Sequence, residues 1–271
     1  MDGEELYKDT YRFCDYGPMG QVYVYLLVGK ERAALIDSGY GGKRWDKLIK
    51  KYTDKPVTVL ITHAHIDHAL GARFFDEAYV HEADEGIWYE SNDKAFLATN
   101  FARFTPPVLD EEEREFLLPP QSVVEADRPL PKFFAGRTEF DLGGRKLLIV
   151  HTPGHSQGCC CFIDEGSGAC FTGDTLSKYV WLQLRESTTL STFEESLRSL
   201  KNQFEREGVE VIYPAHGEKM PAIETVYKYF SLIEKIKRGE TLQKPLHHPI
   251  VPGMRHVGDG VSLILNEIPR W

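Results

Sequence analysis

Two β-rich runs open the pattern: residues 21–28, QVYVYLLV, and residues 32–37, RAALID, separated by the short Gly-containing stretch GKE. That spacing predicts two strands joined as a hairpin. The polar, Gly-rich turn SGYGG leads into KRWDKLIKKY at 43–52, a helical stretch that stops before Thr53-Asp54-Lys55-Pro56. Residues 57–62, VTVLIT, are continuously apolar or β-branched, as in a strand covered on both faces. The first part of the chain therefore reads β-β-α-β.

From about residue 82 to 132 the character changes to helical, acidic and Pro-punctuated sequence, including TPPVLDEEEREFLLPPQ. Few core-sized apolar runs occur there, so it reads as a helical insertion on an αβ scaffold and the whole chain, 1–271, as one domain. Its aromatic residues, Trp88, Tyr89, Phe96, Phe101 and Phe104, fit packing onto the parent fold, a lid, or a homodimer surface. Strand signals resume at TEFDL (138–142), KLLIVH (146–151), CCCFID (159–164) and ACFTGD (169–174). A helix follows at 191–204, with Ser191 and Glu194 in capping-box spacing and Phe193, Leu197, Leu200 and Phe204 on one face. The strand VEVIYPAHG (209–217) precedes a helix at 221–239 that carries Ile223, Val226, Tyr227, Phe230 and Ile233 on its core face and stops at Gly239. GVSLILNEI (260–268) predicts a closing strand.

Composition adds bounds. Hydrophobic residues at 42% and charged residues at 27% are those of an ordinary globular chain. No apolar run approaches the roughly 18 to 20 residues that span a bilayer, and the first residues, MDGEELYKDTYRF, lack the basic and apolar regions of a signal peptide, so a cytoplasmic protein with no membrane partner is expected. Cys14, Cys159, Cys160, Cys161 and Cys170 are odd in number and three are adjacent on a predicted strand, which fits small buried thiols better than disulfides. A net charge of −9 argues against a surface built for nucleic acid.

The candidate chemistry lies in LITHAHIDHALG, residues 60–71, where His63, His65, Asp67 and His68 crowd six positions after a predicted buried strand. Imidazole nitrogen and carboxylate oxygen are the usual ligands of a borderline divalent metal. One such segment can offer two ligand pairs to two neighbouring points. Three further loops share its grammar, each a Gly-flanked turn after a β-rich run: His155 in HTPGHSQG, Asp174 in FTGDT and His216 in YPAHG. His81, His151, His247, His248 and His256 fall outside this pattern and read as structural or surface residues, with His151 close enough to His155 to brace it. GYGGKR departs from the Walker phosphate loop, and no Gly-x-Ser-x-Gly elbow is present.

HAHIDH is similar to the His-x-His-x-Asp-His signature of the metallo-β-lactamase superfamily, and TPGHSQG, TGD and PAHG resemble its later motifs in order and spacing. The resemblance runs from VYLLVGKERAALIDSG to His216. It implies an α+β fold, the four-layer αββα sandwich, with metals at the sheet edges. It further implies two divalent ions per chain, most simply Zn2+, with iron or manganese also suited to such donors. By the family pattern, His63, His65 and His155 hold one ion, Asp67, His68 and His216 the other, and Asp174 bridges them. Asp37 in LIDSG matches a family position that holds a ligand histidine by its other ring nitrogen.

The same resemblance implies hydrolysis by a metal-bound hydroxide, with Asp67 as the catalytic residue that orients the nucleophile or handles a proton. TPGHSQG, FTGDTL, SLRSL and YPAHG together are most similar to the glyoxalase II-like branch, which points to a small-molecule thioester, ester or lactone as substrate. After Asp174 the chain runs TLSKYVWLQLRESTTL and lacks that branch's Gly-Arg and Gly-Ser pattern, so glutathione specificity is not implied; Lys178 and Tyr179 fit a solvated loop or contact with a polar or anionic substrate. A phosphodiesterase or nuclease of the same superfamily, and a non-catalytic metal-binding protein, are the alternatives.

Overall fold

The computed structural model describes residues 3–102, 104, 114–127, 129–246 and 252–266. The acidic run at 105–113 and the pair His247-His248 lie outside the described residues. The chain divides into two compact units, residues 1–146 and 147–271.

The first unit is built on a seven-stranded sheet in sequence order: β1 (Glu4–Tyr7), β2 (Thr10–Gly17), β3 (Gly20–Val28), β4 (Ala33–Ile36), β5 (Val57–Leu60), β6 (Ala78–His81) and β7 (Lys132–Phe134). β1 to β4 pair antiparallel, and β4 to β7 pair parallel. The change of sense falls where the predicted β-β-α-β pattern places a helix, α1 (Trp45–Ile49), between β4 and β5. A parallel neighbour needs such a crossover, whereas the hairpin between β3 and β4 needs only a turn. β4 is buried at all four positions, as its continuous apolar sequence requires. Trp45, Leu35, Val59, Ile61 and Phe13 share one core, and full burial of each large apolar side chain contributes about 1.5–3 kcal/mol.

Between β6 and β7 lie α3 (Glu85–Ser91), α4 (Lys94–Phe101) and α5 (Pro120–Glu125). Trp88 and Phe101 are buried, the latter against Tyr40, while Tyr89 and Phe96 are exposed. β8 (Glu139–Asp141) closes the unit through a turn in which Asp141 Oδ1 accepts from the amides of Gly143 and Gly144.

In the second unit β9 (Lys146–His151), β10 (Cys160–Asp164), β11 (Ala169–Gly173), β13 (Val211–Pro214) and β14 (Met220–Pro221) are ordered β14-β13-β11-β10-β9, with β11 and β13 parallel. A further sheet takes β12 (Tyr179–Trp181), β17 (Ser262–Leu265), β16 (Gly253–Val257) and β15 (Leu242–Leu246) in that order. Two long helices, α6 (Leu190–Glu207) and α7 (Ala222–Lys237), share a core with these strands. All five cysteines are free thiols, with Cys159, Cys160, Cys161 and Cys170 buried. No helix among the described residues is long and apolar enough to cross a membrane.

Two details differ from the sequence expectation. The cap of α6 is Thr189 rather than Ser191: its hydroxyl accepts from the amide of Thr192 at 3.1 Å, and Ser191 sits inside the first turn. Glu194 is then released from a capping role and bonds Arg198 and, across to α7, Lys237. On α7 the buried stripe is Ala222, Thr225, Val226, Tyr229, Leu232, Ile233 and Ile236, with Tyr227 exposed. Tyr229 is drawn inside because its hydroxyl donates to the carbonyl of Ser177 at 2.8 Å, a partner that hydrophobic spacing does not encode.

Candidate metal centre

In the first unit the ligand-type residues follow β5 directly. The chain leaves the strand at Leu60, bends at Thr62 and His63, is extended at His65 (φ −68°, ψ 158°) and then turns into the short helix α2 (Ile66–Ala69). His65 supplies its carbonyl to the amides of His68 and Ala69, so Asp67 and His68 lie in the first turn. One segment thus brings four donors together. His63 Nε2 lies 2.9 Å from His65 Nδ1, the rings of His63 and His68 are 3.9 Å apart, and His68 Nε2 is 3.5 Å from Asp67 Oδ2. His63, Asp67 and His68 are buried and His65 is partly so.

The other side of the His63 and His68 rings is fixed by a hydrogen bond. Asp37, at the end of β4, adopts a left-handed backbone (φ 60°), which Asp tolerates better than most residues. Its Oδ1 accepts from the amide of Thr62 at 2.7 Å, and its Oδ2 accepts from the Thr62 hydroxyl at 2.9 Å and from His68 Nδ1 at 2.8 Å. A carboxylate can only accept, so the His68 proton sits on Nδ1 and the Nε2 lone pair points to Asp67. The Thr62 hydroxyl, having donated to Asp37, is an acceptor for His63 Nδ1 at 3.1 Å, which likewise leaves the His63 Nε2 lone pair facing His65.

Backbone contacts hold the same segment. Ser38 donates both its amide and its hydroxyl to the carbonyl of His68, and the fully buried Asp84 accepts from the amide of Ala64, between the two histidines, at 3.1 Å. The loop at 38–43 is anchored in turn by Asp15, whose Oδ2 accepts from the Tyr40 amide, and by Lys43, which donates to the Cys14 carbonyl. Burial pushes the Asp15 carboxyl above the usual carboxylate range, against the pull of Lys43 and its amide donors.

In the second unit Asp174 follows β11 and His216 follows β13, and because these strands are parallel neighbours both residues emerge at the same end. His155 joins them from the turn after β9. Asp174 points one oxygen at each histidine: Oδ2 is 3.5 Å from His155 Nε2, and Oδ1 is 3.6 Å from His216 Nε2. His155 Nδ1 donates to the carbonyl of Trp181 at 2.9 Å, and Ser187 donates its hydroxyl to the carbonyl of His155. A carbonyl cannot donate, so His155 also presents the Nε2 lone pair.

The spacings suit metal ligands. Donors around a tetrahedral zinc lie roughly 3.3 Å apart when each bond is about 2.0 Å. The histidine–carboxylate separations of 3.5 and 3.6 Å in the second unit exceed ordinary hydrogen-bond length yet match ligands of a shared ion. His81, by contrast, caps a turn by accepting from the Ala83 amide, His151 bonds the Gln157 carbonyl, and His256 bonds Thr241.

Ser38, Thr62, Asp84, Ser187 and the Trp181 carbonyl are supports that sequence reading missed. Thr62 and Ser38 flank the motif residues His63 and Asp37, which was the one available signal. The carbonyl of Trp181 has no sequence signature at all.

A family model described as the metallo-beta-lactamase superfamily matches residues 17–216. The acyl-coenzyme A thioesterase MBLAC2 of Gallus gallus is 26% identical over 231 residues, covering 81% of this chain and 80% of that protein. A probable metallo-hydrolase of Streptococcus pyogenes serotype M6 is 25% identical over 195 residues, 71% of this chain and 78% of its own. Among solved structures, a beta-lactamase domain protein from Burkholderia ambifaria matches with a TM-score of 0.61 and 19% identity, covering 90% of this chain and 78% of that one. The fold is the mixed α+β fold of these structures.

Proposed function

Since the chain belongs to the metallo-beta-lactamase superfamily and is a hydrolase of that family, we propose that it uses two divalent metal ions to hydrolyse a small-molecule thioester. The observation that carries the reading is Asp174, one carboxylate with an oxygen directed at each of two histidine Nε2 atoms. That is the disposition of a ligand shared between two ions. In this reading His63, His65 and His155 hold one ion, Asp67, His68 and His216 hold the other, and Asp174 joins them. The donor set, histidine nitrogen with carboxylate oxygen, fits zinc and also iron or manganese.

Divalent ions held by these residues would polarise the scissile carbonyl and lower the pKa of water towards about 7. The chain's own residues supply the rest. Asp37, Thr62 and the Trp181 carbonyl hold the protons of three imidazoles on Nδ1, so that each Nε2 is a lone-pair donor. By the family pattern Asp67 would orient the attacking water or handle its proton.

The thioesterase relative supports a thioester over other carboxyl derivatives; esters and lactones are the nearest chemical neighbours. A zinc-reconstituted preparation assayed on thioester, lactone and bis-p-nitrophenyl phosphate panels tests this: preferential thioester turnover is expected, and turnover confined to the phosphodiester overturns it.

A further inference from the structure

The sheet β12-β17-β16-β15 in the second unit has one face in the core and one outside it. Val180, Leu263 and Leu265 lie within the hydrophobic core. Side chains alternate along a strand, and residues paired across strands share a face. Trp181 pairs with Ile264, Ile264 with Arg255, and Arg255 with Lys244, so these four form one row on the opposite face, buried at Ile264 and reaching solvent through Arg255 and Lys244. Tyr179 stands beside Trp181 on that face, 43% exposed, with the Arg255 guanidinium 4.6 Å and the Lys178 ammonium 5.6 Å from its ring centroid. Arg255 also donates to Ser262 Oγ.

In a chain of net charge −9, this face sets two cations, Arg255 and Lys178, against the Tyr179 ring, with Lys244 one strand beyond Arg255. Among the described residues none of Lys178, Lys244 and Arg255 forms an ion pair. Gln183 adds a second sign: it is 3% exposed and its carboxamide has no hydrogen-bond partner among the described residues. Its Cγ and the Ile264 side chain both crowd the space that a side chain at Gly253 would fill, which places it at the same sheet face.

The face is tied to the candidate centre, because the carbonyl of Trp181 holds His155 Nδ1. With strands about 4.8 Å apart, Arg255 lies roughly 10 Å and Lys244 roughly 14 Å across the sheet from Trp181. An anion bound there is too distant to be the reacting group. It belongs to the far end of a long substrate. Arg and Lys recognise phosphate oxygens, and a tyrosine flanked by a guanidinium offers a stacking surface for a base.

We infer that this face binds the leaving-group end of the substrate, and that the substrate is a thioester whose thiol carries a phosphorylated nucleotide on an arm of at least roughly 10 Å. The inference rests on the thioester reading above and adds the chemistry of the thiol. Gln183 is the group on this face suited to hydrogen-bond a polar arm.

The test uses one acyl group on two thiols: coenzyme A, which has the nucleotide, and N-acetylcysteamine, which does not. For the metal-loaded wild type, kcat/KM should favour the coenzyme A ester at least tenfold. In the Lys178→Ala, Lys244→Ala, Arg255→Ala triple variant that ratio should fall at least tenfold, through KM. Equal kcat/KM in the wild type, or an unchanged ratio in the variant, overturns the inference. Direct binding of desulfo-coenzyme A, followed by calorimetry, separates it from the catalytic reading. Saturable binding by the wild type that the triple variant loses, with its thermal unfolding intact, supports the face even if no thioester is turned over. Absence of binding to the wild type overturns it even if thioesters are hydrolysed.

Discussion

Asp37 Oδ2 and His68 Nδ1 are 2.8 Å apart, both groups buried, and the same oxygen takes the hydroxyl hydrogen of Thr62. One carboxylate thereby sets the proton position of His68 directly and that of His63 through Thr62. Asp37→Asn keeps the left-handed backbone at little cost but can turn an amide N–H towards His68. It should weaken zinc binding by about 10- to 100-fold, the range for partners that orient metal ligands. Competitive chelator titration reads this, and an unchanged affinity would show that the Asp37 contact serves folding alone.

Asp84 acts on the backbone. Its buried carboxylate accepts from the Ala64 amide, so Asp84→Ala leaves that amide without its bond beside both histidines. Loss of about 1–3 kcal/mol of stability is expected, together with weaker metal binding, while Asp84→Asn, which retains an acceptor oxygen, should recover most of both. Urea unfolding with parallel metal titration checks the pair; equal damage from Asn and Ala would remove the hydrogen bond as the cause.

Gly71 is required by close approach. A Cβ there would lie 2.0 Å from the Ser38 carbonyl oxygen and 2.8 Å from the Trp45 ring. Backbone cannot yield as a flexible side chain does, so Gly71→Ala should destabilise by about 1–3 kcal/mol. Ser38 holds the His68 carbonyl, so metal affinity should fall with stability. A denaturation midpoint equal to that of the wild type would contradict the packing.

Acid should release one surface tie of the first unit. Lys132 bonds Glu77, with Thr58 and Tyr79 assisting, and holds the Glu77 carboxyl down at about 2 from its ordinary 4.5. The folded state then binds fewer protons than the unfolded state between these values. The stabilisation is fully present above the unfolded pKa and is lost as pH falls through the folded one. The stability difference between wild type and Glu77→Gln should hold from pH 7 to about 5 and fade towards about 2; a difference that grows on acidification would reverse the assignment.

Much of the fold was legible because its signals are local. VTVLIT reads as a strand covered on both faces, of which Val57–Leu60 is the strand found, and the hairpin of 21–37 followed from run lengths and a glycine turn. The ligand-type residues were legible for the same reason: each lies in a short motif at a strand end. What escaped depends on contacts between distant residues. Asp84 meets Ala64 from 20 residues away, and Trp181 meets His155 from 26 through a backbone oxygen that any residue would supply. Thr189 replaced Ser191 as a cap because both are hydroxyl residues near the same helix start, and only backbone geometry separates them.

The proposed function requires two metal ions per chain. The most direct measurement is turnover of a coenzyme A thioester followed as zinc is added to the stripped 271-residue chain, with bound metal determined by mass spectrometry at each point. Turnover that rises with metal content and reaches its plateau at two ions per chain is the predicted result. Saturation below one ion per chain, or full loading without turnover, would contradict it.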